Sequence, residues 1–254
     1  MKTSLSICLI LVNLATFGQK SKLEMSAGYV FSMPRGPMNE TIKQAHGMVM
    51  DFYMRPKGKN YLLGAEMSVN SYGFDKTMQT YTFADGTTAP MEINVSNNMF
   101  NFLVGGRYYL SEKTVQPFVS GRVGYSNYST SLNVFDPDEG DSCEPVDSEV
   151  LKRDGALIFS AGAGIQMDLR PKKDPGTLFL TLSSYYSSGG KVDYMNVDMN
   201  AATHKHTAKK SDVYMKFLNT QTQVVHEHHI GNIYSSVIEM MDFRIGITMR
   251  VPSL

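Results

Sequence analysis

The sequence predicts an all-β fold: an eight-stranded antiparallel up-and-down transmembrane β-barrel with short periplasmic turns and long surface loops. Three observations lead to this prediction. The chain begins with an export signal, the rest shows segments of about ten residues that alternate apolar and polar positions, and the connections between these segments alternate in length.

The N-terminus has the layout of a secretory signal peptide. Lys2 supplies the positive charge, residues 5–17 form a short apolar run, and Gly18-Gln19 offers a cleavage point. We therefore predict a signal peptide over 1–18 and a barrel domain over 19–254; a buried N-terminal strand or helix is the alternative. Later segments lack an apolar run of about 20 residues, so a mature chain in a membrane must be a closed barrel.

The last segment shows the alternation most clearly. One face carries Val237, Met241, Phe243, Ile245, Ile247, Met249 and Val251, and the other carries Asp242, Arg244, Gly246, Thr248 and Arg250. With seven more segments of this kind, we predict eight strands at 23–32, 48–55, 61–73, 99–110, 117–132, 156–170, 177–194 and 237–251. We expect the apolar face, including Phe243, Ile245, Ile247 and Met249, to contact lipid.

The connections alternate between short turns and long loops. The short ones, at 56–59, 111–116 and 171–176, carry Pro, Gly, Lys and Asp. The long ones are predicted at 33–46, 74–90, 133–154 and 195–232. Outer-membrane barrels place their short turns in the periplasm, and an even number of strands then leaves both termini there.

A soluble lipocalin-like or sandwich protein would also alternate, with its apolar face turned inward. The export signal, the long strands and the asymmetry of the connections favour the membrane barrel. The 24 basic and 24 acidic residues cancel, so no global field attracts nucleic acid.

The final strand, residues 242–251, looks like the assembly-signal strand of an outer-membrane barrel, although Val251-Pro252-Ser253-Leu254 lacks a terminal aromatic residue. In this strand and in its architecture, the chain over about 20–254 resembles the small OmpA/OmpX-type barrels and the PorT-like outer membrane protein β-barrel families. The resemblance implies the outer membrane of a Gram-negative-type bacterium. It also implies outer-membrane lipid, lipopolysaccharide and the barrel-assembly machinery as partners.

The polar faces would place many charges inside the barrel. The predicted lumen network consists of Glu24, Asp51, Arg55, Glu66, Arg107, Arg122, Asp168, Arg170, Asp242, Arg244 and Arg250. An eight-stranded barrel is just wide enough for side chains to fill it, and buried charges must pair. We therefore expect a closed lumen; a gated or proton-conducting path is the alternative.

The histidines suggest a second candidate site. Five of the six lie in the last predicted loop: His204, His206, His226, His228 and His229. Their spacing is compatible with a divalent metal at the surface, although polar loops also collect histidine without binding metal. No other cofactor is expected.

The sequence also contains residue types that enzymatic or calcium sites use. His228, Ser235, Ser236 and Glu239 have the residue types of a nucleophilic site, which a lipid A-modifying hydrolase or acyltransferase would need, but no signature links them. The acidic segment 136–149 around Cys143 could bind calcium, yet it lacks regular spacing, and a solvated loop is favoured.

The function favoured by the sequence is therefore that of a non-enzymatic outer-membrane barrel that uses its loops for binding, adhesion or complex formation with an unknown surface ligand or protein. A lipid-modifying enzyme and a narrow transport pore are the alternatives.

Overall fold

A computed structural model describes residues 21–82, 86–137, 145–171, 176–197, 209–219 and 224–251. These ranges contain nine strands and one short helix, α1 (Met38–Thr41). The strands are β1 (Ser21–Pro34), β2 (Ala45–Pro56), β3 (Tyr61–Thr82), β4 (Thr88–Tyr109), β5 (Val115–Phe135), β6 (Asp147–Asp168), β7 (Leu178–Asn196), β8 (Lys209–Asn219) and β9 (Val224–Val251). The predicted signal peptide lies outside the described residues.

Eight of the strands close into a barrel. Strands β1 to β6 each pair antiparallel with the next, β7 pairs with β9, and β9 returns to β1 through a ladder from Leu23–Val251 to Pro34–Met240. The predicted eight-stranded antiparallel fold is confirmed. We call the barrel end with the three short turns the turn end, and the opposite end the loop end.

The short connections at the turn end form where the sequence has residues that favour turns. The β2–β3 connection runs from Pro56 to Tyr61 and places Gly58 at φ 70°, a left-handed conformation that residues with a Cβ rarely adopt. The β4–β5 and β6–β7 connections fall at the predicted turn positions as well.

Beyond the loop end, the strands continue much further than the sequence predicted. The β3–β4 and β5–β6 hairpins reach Thr82–Thr88 and Val134–Asp147, and β8 pairs with the first part of β9. The long loops predicted at 74–90, 133–154 and 195–232 are therefore wrong in large part, because the period-two alternation continues through them. We call this protruding part the extension.

Helix α1 lies in the β1–β2 connection, which was predicted as a loop at 33–46. Met38 and Ile42 are fully buried, and the Thr41 hydroxyl lies 2.6 Å from the Tyr194 hydroxyl. The Asn196 amide also donates to the Thr41 carbonyl at 2.7 Å. The connection thus turns into the barrel and packs across the loop end of its interior.

The outer surface of the barrel is a continuous apolar belt. On β9, Phe243, Ile245, Ile247 and Met249 are all exposed, as predicted. Other exposed members are Met25, Met50, Phe52, Leu63, Met67, Phe102, Val104, Val119, Val123, Leu157 and Phe159. Exposing an apolar surface of this extent to water would be unfavourable in free energy, whereas contact with lipid chains would not. In the described residues no helix is long and apolar enough to cross a membrane.

Along the same strand, the apolar side chains face outward within the belt and inward within the extension. In β4, Phe100 and Phe102 face outward within the belt, whereas Met91, Ile93 and Val95 face inward within the extension. The extension therefore has its own apolar core, formed by Met91, Ile93, Val95, Leu132, Val134, Met195 and Ile230. A second apolar cluster around α1 lies between this core and the polar interior of the belt.

Candidate functional site

The interior of the belt holds two clusters of paired charges. In the cluster nearest the turn end, Glu24 accepts a hydrogen bond from Arg250 Nε at 2.8 Å and lies 3.4 Å from Arg55. The Tyr109 hydroxyl donates to the second oxygen of Glu24 at 2.9 Å. Glu112, on the β4–β5 turn, reaches in to pair with Arg55 at 2.8 Å.

The second cluster lies deeper in the barrel and is centred on Glu66. One oxygen of Glu66 pairs with both Arg122 and Arg244, the latter at 2.7 Å. Arg244 also pairs with Asp242 at 3.0 Å, so that β3, β5 and β9 are joined through the interior. Asp51 on β2 pairs with Arg107 on β4 at 3.3 Å.

Aromatic rings separate and support the guanidinium groups. The Tyr185 ring contacts both Arg122 and Arg244, whose guanidinium carbons lie 3.5 and 4.7 Å from its centroid. Arg107 lies over Tyr53 and Phe118 at 4.7 and 4.3 Å. Because aromatic faces attract cations, these rings stabilise arginines that face each other across the narrow interior.

Side chains fill the space that these clusters occupy. Glu24, Asp51, Arg55, Glu66, Arg107, Arg122, Asp242 and Arg250 are each at most 9% exposed, and the Arg244 side chain is 7% exposed. A cavity of about 20 Å³ beside Asp51 and Arg244 has room for about one water molecule. One oxygen of Asp51 and Nε of Arg244 have no protein partner among the described residues, so they are suitable partners for such a water.

The structure thus brings nine of the eleven predicted lumen residues into the interior and places two elsewhere. Arg170 is exposed beyond the end of β6, and its assignment to the lumen is wrong. Asp168 caps the β6–β7 turn, where the backbone amides of Arg170 and Gly176 donate to its carboxylate at 2.8 and 2.6 Å. Both lie where β6 gives way to the turn, so the alternation no longer decides which way they face.

Glu112 was missed because it lies in a turn rather than in an alternating strand. The described interior has four carboxylates and five arginines, and Glu112 supplies the fifth negative charge. Glu112 is the one carboxylate in the 111–116 turn. That position, together with the excess of buried arginine, is the signal that would have identified it.

The predicted metal site is only partly within the described residues. His204 and His206 lie outside them. His226, His228 and His229 lie on β9, opposite Phe217, Met215 and Tyr214 of β8, so this segment is a strand rather than the predicted loop. In the part of the chain that the structure describes, no three His, Cys, Asp or Glu side chains are grouped so that they could hold a metal ion.

The residues considered for nucleophilic catalysis do not meet. His228 and Ser235 are seven residues apart on one strand, a backbone separation of about 23 Å. Ser236 faces the interior, near the Tyr194 hydroxyl, whereas Ser235 faces outward and donates to Asp193 at 2.5 Å. The geometry therefore offers no Ser-His-carboxylate site here. The acidic segment around Cys143 lies largely outside the described residues.

No family model and no curated protein matches the chain. Among solved structures, Ail of Yersinia pestis is similar, with 11% identity and a TM-score of 0.41, over 91% of this chain and 99% of that one. Neisserial surface protein A has 8% identity and a TM-score of 0.44, over 91% and 97%. A major outer membrane protein from Thermus thermophilus has 12% identity and a TM-score of 0.46, over 91% and 99%.

These three structures are small outer-membrane barrels, the class that the sequence resembles. The identities and TM-scores are too low for any residue role or ligand to be transferred. The assignment as a membrane barrel rests on the closed strand ladders, the apolar belt and the charged interior of this chain.

Proposed function

We propose that this chain is an outer-membrane protein whose sealed barrel anchors a rigid β-structure outside the membrane, and that binding or adhesion takes place on this extension. The observation that carries the proposal is the exchange of polarity along single strands. Within the belt, apolar residues face out and charges face in; in the extension, the arrangement is reversed. A strand with this pattern fits a wall that passes from lipid into water.

The extension has features of a binding surface. Its apolar core gives it a fixed shape, which lowers the entropy lost when a partner binds. Phe74 and Met78, on the outward face of β3, are 64% and 54% exposed although they lie beyond the belt. Aromatic residues and methionine are enriched in protein–protein interfaces, so this face of β3 is a candidate contact site for another macromolecule.

A transport role is disfavoured by the interior. The paired charges fill the barrel, and the α1 connection packs Met38 and Ile42 over the loop end. In planar bilayers, we therefore expect the purified protein to show no steady conductance of the size that general porins give. Large, stable single-channel currents from the unmodified protein would replace this proposal with the pore.

Two further measurements test the remaining parts of the proposal. Membrane fractionation should recover the protein with the outer membrane and release it only with detergent. Cells that display the wild type should attach to protein-coated surfaces better than cells that display Phe74→Ser/Met78→Ser at equal surface levels. Equal attachment by the two would remove the binding role from this face of the extension, and Thr80→Ser on the same face is the control.

A further inference from the structure

A groove crosses three strands on the lipid-facing surface near the turn end. It has a volume of about 420 Å³ and is lined by the first residues of β3, the last residues of β4 and the first third of β5. The side chains and glycines at its outer surface are Tyr61, Leu63, Gly106, Tyr108, Val119 and Gly121.

The groove exists because two glycines pair across neighbouring strands. Gly106 on β4 lies opposite Gly121 on β5, so neither strand projects a side chain at this level. A Cβ added at Gly121 would meet nothing within 4 Å. Tyr61 and Tyr108 pair across β3 and β4 on the turn-end side of these glycines and form one wall of the groove, which Val119 continues.

The groove changes chemistry along its length. Leu63, Val119 and the two glycines give it an apolar floor inside the belt. At its turn-end rim are the exposed rings of Tyr61 and Tyr108, the residue type that favours the membrane–water interface. The exposed side chains of Lys59 and Lys113 lie in the two turns that flank this rim.

The surrounding charge favours an anion. The described basic residues at the turn end are Lys22, Lys57, Lys59, Lys113 and Arg170, and the two nearby carboxylates are already engaged. Glu112 pairs with Arg55, and Asp168 accepts from backbone amides. An apolar slot that opens onto hydroxyls and ammonium groups matches a molecule with an acyl chain at one end and a phosphate at the other.

We propose that this groove is a binding site for one anionic phospholipid of the leaflet next to the turns. An acyl chain lies over Gly106 and Gly121, and the headgroup phosphate lies against the tyrosine hydroxyls, Lys59 and Lys113. The site rests on the proposed membrane location. It differs from the rest of the belt, where lipid contact involves no selection of the headgroup.

The chain provides a matched control groove. A second external groove, of about 490 Å³, is lined by Ala163, Ile165, Leu182, Ser184 and Phe243. Ala163 on β6 pairs with Val119 of the first groove, whereas Ser184 on β7 and Phe243 on β9 lie two and three strands away from β5 and from the turns that carry Lys59 and Lys113. This groove is expected to contact lipid chains without preference for a headgroup.

Native mass spectrometry of the detergent-solubilised protein tests the site with two probes, phosphatidylglycerol and phosphatidylcholine. We expect the wild type to retain one phosphatidylglycerol molecule in preference to phosphatidylcholine. Gly121→Leu should remove that molecule by filling the groove, and Ser184→Leu, in the control groove and two strands away from β5, should not. Lys59→Gln/Lys113→Gln should weaken phosphatidylglycerol binding about 30-fold, from about 1 kcal/mol per lysine and tenfold per 1.4 kcal/mol.

Equal retention of the two lipids by the wild type, or full retention by both Gly121→Leu and the lysine variant, would overturn the site. A dimer that disappears in Gly121→Leu would overturn it in favour of a second copy in the groove. The lysine variant lies in exposed turns, so it decides the question even if Gly121→Leu does not fold. A chain that stays soluble without detergent would instead refute the proposed membrane location.

Discussion

The centre of the interior network is the most direct place to test what holds the barrel together. Glu66 is 1% exposed and shares one carboxylate oxygen between Arg122 and Arg244. Glu66→Gln keeps the size of the side chain and an acceptor oxygen but removes the negative charge. Arg244 would keep its ion pair with Asp242, whereas Arg122 would have no ion pair among the described residues and would keep its hydrogen bond to the Ser160 hydroxyl, at 2.8 Å, and its contact with the Tyr185 ring.

The expected cost follows from these contacts. A hydrogen bond to a charged group contributes about 1.5–3 kcal/mol and a neutral one about 0.5–1.5, so two weakened bonds cost about 2–3 kcal/mol together. A guanidinium left buried without its partner raises the cost further. We therefore expect Glu66→Gln to lower the free energy of unfolding by about 2–4 kcal/mol.

Glu112→Gln is the matched control. Glu112 makes an ion pair of similar length, 2.8 Å to Arg55, but its side chain is 53% exposed. Exposed pairs contribute about 1 kcal/mol or less. Urea unfolding in phospholipid vesicles, followed by far-ultraviolet circular dichroism, compares the two variants; the chain has no tryptophan for fluorescence. Equal losses of stability in both variants would refute the central role of Glu66.

Two more predictions concern the belt and the topology. Ile247→Arg, on the outward face of β9, should cost about 2–4 kcal/mol in vesicles if it lies near the midplane, whereas Ser131→Arg, on the outward face of the extension, should change stability by at most about 0.5 kcal/mol; equal effects would contradict the lipid assignment. In intact cells, with Cys143 replaced by serine, an impermeant maleimide should label Thr80→Cys and not Lys113→Cys, and the opposite pattern would reverse the orientation.

The strands and turns of the barrel could be predicted from the sequence because a single rule governs them. In 237–251, alternate residues must satisfy lipid on one side and a crowded polar interior on the other, so the pattern is strong. The same rule located Glu24, Glu66, Arg122 and Arg244 on the inner face. Their partners could not be predicted, because pairing across the barrel depends on register and tilt, which no single strand encodes.

The extension was missed because the rule changes at the edge of the belt. In β5, Val119 and Val123 are apolar on the outward face, whereas Leu132 and Val134 are apolar on the inward face. The prediction assumed that the apolar residues of a strand stay on its outward face along the whole strand. Where the apolar residues move to the inward face, the predicted strand therefore ended, and the rest was assigned to a loop. The change of apolar parity, rather than the end of alternation, marks the point where the wall leaves the lipid.

Helix α1 was missed for a different reason. It is four residues long, its N-cap Pro37 makes no side-chain capping bond, and so short a helix is not stable by itself. It forms because Met38 and Ile42 pack against Tyr128, Tyr194 and other residues from distant strands. Nothing local to residues 35–44 encodes these contacts.

The charged clusters and the apolar cluster around α1 lie one above the other inside the barrel, and this arrangement restricts where a ligand can bind. A passage along the axis would have to separate Glu66 from two arginines and then displace Met38 and Ile42 from the cluster around Tyr128. Each of these steps exposes buried charge or apolar surface to water, with costs of several kcal/mol. The outer surfaces carry no such cost, because Phe74 and Met78 and the groove at Gly121 are already open. Recognition at the outer surface therefore requires no rearrangement of the barrel, and the interior serves to keep that surface rigid.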